Sequence, residues 1–103
     1  LPLVTCMGET FASRVAGSLL HAAGLPELAT HSLAEYESLA FKLASEPDTL
    51  AEIRARLAHN RERSPLFDTK RFRRHIEAAY IRMYERHMRG DPPASFDVLP
   101  SEK

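Results

Sequence analysis

The opening hexapeptide, Leu1-Pro2-Leu3-Val4-Thr5-Cys6, constrains this chain more than any other stretch. A run of Leu, Val and Thr this apolar suits a strand covered on both faces, as in a parallel sheet. It leads through Met7, Gly8, Glu9 and Thr10 straight into a helical pattern. A parallel strand needs a neighbour for its backbone N–H and C=O groups. No other segment of the 103 residues reads as that neighbour. The sequence therefore predicts a carboxyl-terminal piece of a larger α/β domain, with its function belonging to the whole.

Downstream, the pattern is helical. Phe11, Val15 and Leu19 recur at four-residue steps beside Ala12, Ala16 and Leu20, which predicts a helix over residues 9–23. Gly24 supplies the left-handed stop, with a short turn over residues 26–29 after it. Ser32 and Glu35 form a capping box for a second helix whose core face is Leu33, Tyr36, Leu39, Ala40 and Leu43. Pro47 closes that helix, and a third starts near Asp48 with Leu50, Ile53 and Leu57 facing inward. Residues 60–69 read as a loop that docks Leu66 and Phe67 onto the body. Asp68 caps a last helix that buries Phe72, Ile76, Ala79, Tyr80 and Met83, and Gly90 with Pro92-Pro93 ends it. The fold class is thus mostly α as it stands, with one amino-terminal strand and about four helices. Residues 1–90 form the folded part and residues 91–103 a polar, loosely held tail.

Composition narrows the partners. The 14 basic and 14 acidic residues cancel, which argues against bulk nucleic acid or an anionic membrane as the partner. With 44% hydrophobic and 27% charged residues the chain has the make-up of a globular domain, and no stretch approaches the apolar length of a membrane span. A single cysteine, Cys6, forms no internal disulfide, so a reducing, cytoplasmic setting is expected.

The junction between strand and first helix is the best candidate site, because ligands of open α/β sheets gather beyond the carboxyl ends of strands. Gly8 lets the backbone approach a ligand, Thr10 offers a hydroxyl, and Glu9 falls in the first helical turn. The plainer reading is that Gly8 makes a turn and Glu9 or Thr10 caps a helix. Arg14 can reach a phosphate or serve as a structural ion pair. Lys70, Arg71, Arg73 and Arg74 crowd the start of the last helix, where they offer an anion or partner site; the plainer reading is a solvated face balanced by Asp68 and Glu77. His21, His31, His59, His75 and His87 show no metal spacing, and the GxSxG, Walker and GxGxxG signatures are missing.

Taken in order, Pro2-Leu3-Val4-Thr5, Gly8-Glu9-Thr10 and Ala12-Ser13-Arg14-Val15-Ala16 resemble the end of the catalytic region of the O-linked N-acetylglucosamine transferase (SPINDLY-like) glycosyltransferase family. Glu35-Tyr36-Glu37, Ser64-Pro65-Leu66-Phe67-Asp68-Thr69, Glu77-Ala78-Ala79-Tyr80 and Arg82-Met83 continue the similarity at like spacing, to about Met88. The chain departs from the family pattern at Met7, where relatives commonly carry proline.

The resemblance implies an inverting, metal-independent GT-B enzyme with two Rossmann-like lobes. It would transfer N-acetylglucosamine or a related sugar from a UDP-sugar to Ser or Thr hydroxyls, with a tetratricopeptide array presenting the protein acceptors. Residues 1–90 would be the carboxyl-terminal part of the UDP-sugar-binding lobe. Met7, Gly8, Glu9 and Thr10 would be the part of the donor site it contains. The family's catalytic histidine, phosphate-binding lysine, His-Thr-Thr helix start and acidic ribose contact would all precede Leu1. The 103 residues alone are therefore expected to be catalytically inactive, and their uncovered apolar face, Phe11, Val15 and Leu19, to promote self-association. The alternative reading is a small, non-catalytic helical protein–protein interaction module. In it the opening strand would be an irregular arm or would pair with a second copy.

Overall fold

A computed structural model describes residues 1–100 of the chain. They fall into two compact units, one covering Leu1–Phe67 and one beginning at Asp68. Residues 101–103, the end of the expected tail, lie outside the described residues.

The first unit opens with four residues of irregular backbone and then a two-residue strand, β1 (Thr5–Cys6). It pairs in parallel with β2 (Ala29–Thr30), Thr5 opposite Ala29 and Cys6 opposite Thr30. The Met7 N–H donates to the Thr30 carbonyl at 2.7 Å, and the Thr30 hydroxyl donates to the Thr5 carbonyl at 2.8 Å. Two expectations are corrected here. The strand does not span the hexapeptide, and its neighbour lies inside the chain. Ala29–Thr30 is too short to show any alternation. The chain reaches it through a 3-10 turn, Pro26–Leu28, that returns it alongside β1.

The first helix, α1 (Val15–Ala22), starts later than residue 9. Thr10 and Ser13 are the reason. The Ser13 N–H donates to Thr10 Oγ1 at 3.3 Å and the Ser13 hydroxyl donates to the Thr10 carbonyl at 2.9 Å. The Arg14 N–H closes a turn onto the Phe11 carbonyl at 3.0 Å. Local hydroxyl bonds of this kind offer the backbone an alternative to helix. Glu9 therefore sits ahead of the helix rather than in its first turn.

The end of α1 follows the expectation. Gly24 adopts φ +79°, its N–H donates to the His21 carbonyl, and the Leu25 N–H donates to the Leu20 carbonyl. This is the paired bonding of a Schellman stop. Asn60 adds a tertiary lock, its side-chain amide donating to the Ala23 carbonyl at 3.0 Å.

Two helices of similar length follow, α2 (Leu33–Ser45) and α3 (Pro47–Asn60). Ser32 caps α2 by accepting the Glu35 N–H at 3.1 Å, as the capping box predicts, while Glu35 reaches back to the His31 N–H at 2.9 Å. The core is Leu20, Leu25, Leu28, Ala29, Leu43 and Ile53, with Val4, Met7, Leu39 and Leu57 packed around it. Leu25 and Leu28 are 1% and 0% exposed, and burial of each such side chain contributes roughly 1.5–3 kcal/mol. The inward face of α2 is narrower than predicted, since Leu33, Tyr36 and Ala40 face solvent. Leu66 and Phe67 are docked only in part: their 3-10 turn, Pro65–Phe67, lies against α1, but the two side chains stay 38% and 58% exposed, and it is Ser64 that is buried beside them.

The second unit is built on α4 (Thr69–Met88). Asp68 caps it as expected, accepting the Arg71 N–H at 2.9 Å. Gly90, at φ +78°, ends it with the same pair of bonds as Gly24, Gly90 N–H to the His87 carbonyl and Asp91 N–H to the Arg86 carbonyl. No residue of α4 is buried. The predicted core face is corrected accordingly, because Phe72, Tyr80 and Met83 are each more than half exposed and only Ile76 and Ala79 are partly covered. The described residues are thus mostly helical, with one short two-stranded parallel sheet.

Candidate functional site

Because β1 and β2 run parallel, their carboxyl ends emerge on the same side. Met7 follows the first strand and His31 the second. An open groove of about 800 Å³ lies at this end of the first unit, lined by Met7, Glu9, Phe11, Arg14, Val15, Ser18, Leu19, His21 and His31. Ligand sites of open α/β sheets occupy this position.

Of the four residues singled out from the sequence, the groove brings together two. Met7 forms its inner wall, and its side chain lies so close over α1 that a Cβ on Gly17 would fall 2.4 Å from the Met7 sulfur. Glu9 is exposed at the rim. Gly8 and Thr10 are exposed but do not line the groove. Gly8 passes close to Ser13, and the Thr10 hydroxyl is engaged with the Ser13 side chain at 2.9 Å.

Sequence reasoning had set His31 aside for want of metal spacing, and it becomes a groove residue only because β2 exists. The signal was present in Leu28-Ala29-Thr30, a short apolar run ending just before the Ser32 cap. His21 belongs to the same wall. Its Nδ1 lies 2.8 Å from the Gly17 carbonyl, which only accepts, so Nδ1 carries the proton and Nε2 is left to accept when the ring is neutral. Arg14 stands at the start of α1 and is exposed.

The chemistry of this lining is mixed in a useful way. Phe11, Val15 and Leu19 offer an apolar surface, with Phe11 87% exposed, while Arg14, His21, His31 and Glu9 surround it with one cation, two imidazoles and one carboxylate. A flat or ring-bearing ligand with polar substituents fits such a surface, the apolar part covering the ring and the few polar groups fixing orientation. Among the described residues no group of three or more His, Cys, Asp or Glu side chains is placed to hold a metal ion. Cys6 is a free thiol, half-buried behind Met7 in the chain.

Residues 1–76, which include the whole groove, match the sequence profile of Glycosyl transferase family 41. The chain belongs to this family. Among curated relatives, the Caenorhabditis elegans UDP-N-acetylglucosamine–peptide N-acetylglucosaminyltransferase is 41% identical over 91 residues, covering 88% of this chain and 8% of its own length. A protein named "Probable UDP-N-acetylglucosamine–peptide N-acetylglucosaminyltransferase SEC" from Arabidopsis thaliana is 38% identical over 103 residues, 99% of this chain and 10% of that protein. One named "Probable UDP-N-acetylglucosamine–peptide N-acetylglucosaminyltransferase SPINDLY" from Oryza sativa subsp. japonica is 39% identical over 104 residues, 99% of this chain and 11% of that protein. The chain spans about a tenth of the length of these glycosyltransferase relatives.

Among the described residues no helix of this family 41 chain is long and apolar enough to cross a membrane. The family match stops at residue 76, within α4, whereas the similarity to the Arabidopsis protein covers 99% of the chain.

Proposed function

We propose that this chain is the carboxyl-terminal part of the UDP-sugar-binding lobe of a GT-B protein O-glycosyltransferase. In this reading the enzyme transfers N-acetylglucosamine, or a related sugar, from its UDP donor to Ser or Thr hydroxyls of proteins in the cytoplasm. The observation that carries it is the family 41 match across a parallel strand–helix–strand unit whose carboxyl ends open on the groove. The relatives' names supply the donor and the peptide acceptor.

Met7, Gly8, Glu9 and Thr10 form one edge of the donor site in this reading. Met7 and Glu9 act from the groove itself, and Gly8 and Thr10 set the path of the loop through Ser13. In this reading the exposed ring of Phe11 receives a base or sugar ring, and Glu9, at the groove rim, accepts from a sugar hydroxyl. Transfer also needs the donor diphosphate neutralised and the acceptor hydroxyl positioned, and the groove's one arginine and two imidazoles do not supply both. Catalysis thus requires groups beyond these residues.

The test is kinetic, in the full-length enzyme. Glu9→Gln changes an exposed side chain at the rim and should keep the fold. Thr10→Val also breaks the hydroxyl bonds to Ser13, so circular dichroism must first show unchanged helix content in that variant. Glu9→Gln is expected to raise KM for the UDP-sugar about tenfold, the worth of one hydrogen bond to a charged group, with kcat changed less. Donor KM and kcat unchanged in both variants would remove these residues from the site. No metal takes part in this reading, so a chelator should leave transfer intact. The 103 residues alone should transfer no sugar, and light scattering should show them self-associating through Phe11, Val15 and Leu19.

A further inference from the structure

The second unit carries a device that the glycosyltransferase reading does not use. After Gly90 turns the chain, residues 91–97 run back along α4 and are held there by two arginines one helical turn apart. Arg86 Nη2 donates to the Pro92 carbonyl at 2.8 Å. Arg82 Nη1 donates to the Asp97 carbonyl at 3.0 Å, and its guanidinium lies over the Phe96 ring, 4.4 Å from the centroid. Between strap and helix lies a cavity of about 490 Å³ bounded by Met83, Arg86, His87, Pro93 and Phe96.

These contacts share a pattern. Arg82 and Arg86 take part in no ion pair among the described residues, and each instead donates through one Nη to a strap carbonyl. A guanidinium is suited to this double use, because its face stacks on an aromatic ring while its edge donates. The space under the strap is not filled by side chains, so apolar fit contributes little there. We infer that residues 91–97 are a hinged strap latched to α4 chiefly by Arg82, and that release of this latch frees the rest of the Met83–His87 face, of which Met83 is 54% exposed with the strap closed.

Gly90 is the hinge at one end, being the residue whose positive φ redirects the chain. Phe96 and Asp97 are the clasp at the other. Losing Arg82 removes a cation–π contact and a charge-assisted hydrogen bond together, which should shift the closed-to-open ratio about tenfold or more. Losing Arg86 removes one hydrogen bond close to the hinge, where the chain is already tethered by the Asp91 N–H to the Arg86 carbonyl. Its effect should be smaller.

The experiment places a nitroxide on the strap of the full chain, at Ala94→Cys in a Cys6→Ser background, and reads the methyl resonances of Met83 and Met88. Closed, the strap should broaden Met83 strongly. Arg82→Ala should restore most of the Met83 intensity, and Phe96→Ala added to it should restore little more, since ring and guanidinium act as one latch. Arg73→Ala, on a part of α4 with no strap contact, should leave the broadening unchanged, and circular dichroism should report the same helix content in every variant. Unbroadened Met83 in the parent, broadening unaffected by Arg82→Ala, or fully additive effects of Arg82 and Phe96 would each overturn the inference.

Discussion

The two units of this chain are built from the same local devices and differ in what surrounds them. Both contain a helix start capped by a side chain, Ser32 for α2 in the first and Asp68 for α4 in the second, and a helix stopped by a glycine, Gly24 at φ +79° after α1 and Gly90 at φ +78° after α4. Among the described residues the first unit holds every buried hydrophobic side chain, and α4 holds none. Helix signals read locally are therefore not evidence of a core. What separates the units is whether an apolar face finds a partner, and only the first has β1, β2, α1, α2 and α3 converging on Leu25 and Leu28.

The largest expected effect tests that contrast directly. Leu28 is fully buried at the centre of the first unit, so Leu28→Ala removes both transfer energy and packing, a loss of about 2–5 kcal/mol. Met83→Ala on the half-exposed face of α4 should change stability by no more than about 0.5 kcal/mol. Chemical denaturation followed by circular dichroism measures both. Comparable losses for the two substitutions would break the division into a packed and an unpacked unit.

The paired glycines sharpen it. An alanine at either position is forced into left-handed backbone at a cost of about 1–2 kcal/mol. At Gly24 the new Cβ would also meet Asn60 Nδ2 at 2.4 Å and displace its bond to the Ala23 carbonyl, adding about 1 kcal/mol. At Gly90 nothing lies within 4 Å. Gly24→Ala should therefore lower stability about twice as much as Gly90→Ala, and Asn60→Ala should remove the difference. Equal effects in the parent background would show that Asn60 adds nothing to the stop.

These glycines also show why some of the molecule was legible in its sequence. Ser32, Pro47, Asp68, Gly24 and Gly90 act on backbone groups within a few residues of themselves, and each does in the structure what its type predicts. The failures are non-local. Ala29–Thr30 becomes a strand only because β1 lies alongside, and two residues carry no period. Phe11 and Ala12 continue the apolar spacing of α1, yet the Thr10 and Ser13 hydroxyls take the backbone before the helix starts. Leu66, Phe67, Phe72 and Tyr80 have the right chemistry for a core but find only partial cover. The groove divides in the same way: Met7 and Glu9 were visible from the end of the first strand, whereas His31 waited on the second.

A smaller effect is expected at the contact between the groove and α1. Gly17→Ala puts a Cβ 2.4 Å from the Met7 sulfur, and overpacking of that kind costs about 1–3 kcal/mol. Against this, alanine gains roughly 1 kcal/mol over glycine in a helix interior. The net loss should be about 1 kcal/mol. In a Met7→Ala background the clash is gone, and the same substitution should become stabilising. A sign that does not reverse would mean that Met7 is free to move aside, and with it the inner wall of the groove.

The smallest effects belong to the ion pairs, where the two units should differ least. Glu27 pairs with Arg56 in the first unit, their side chains 42% and 46% exposed, and Arg73 pairs with Glu77 at 3.8 Å in the second. Pairs this wet contribute about 0–1 kcal/mol. The first joins the 3-10 turn ahead of β2 to α3, so it closes a tertiary contact between separate elements. The second lies within one helix turn and has its cation amino-terminal to its anion, the less favourable order at this spacing. Glu27→Gln should therefore cost about 0.5 kcal/mol and Glu77→Gln close to nothing, about 0.2 kcal/mol. Raising the salt concentration should shrink the first value toward the second, because exposed charges are screened within about 8–10 Å at moderate ionic strength. A Glu27→Gln loss that is large and insensitive to salt would mean that the pair is shielded and helps hold β2 in register, extending the packed region of the first unit to its surface.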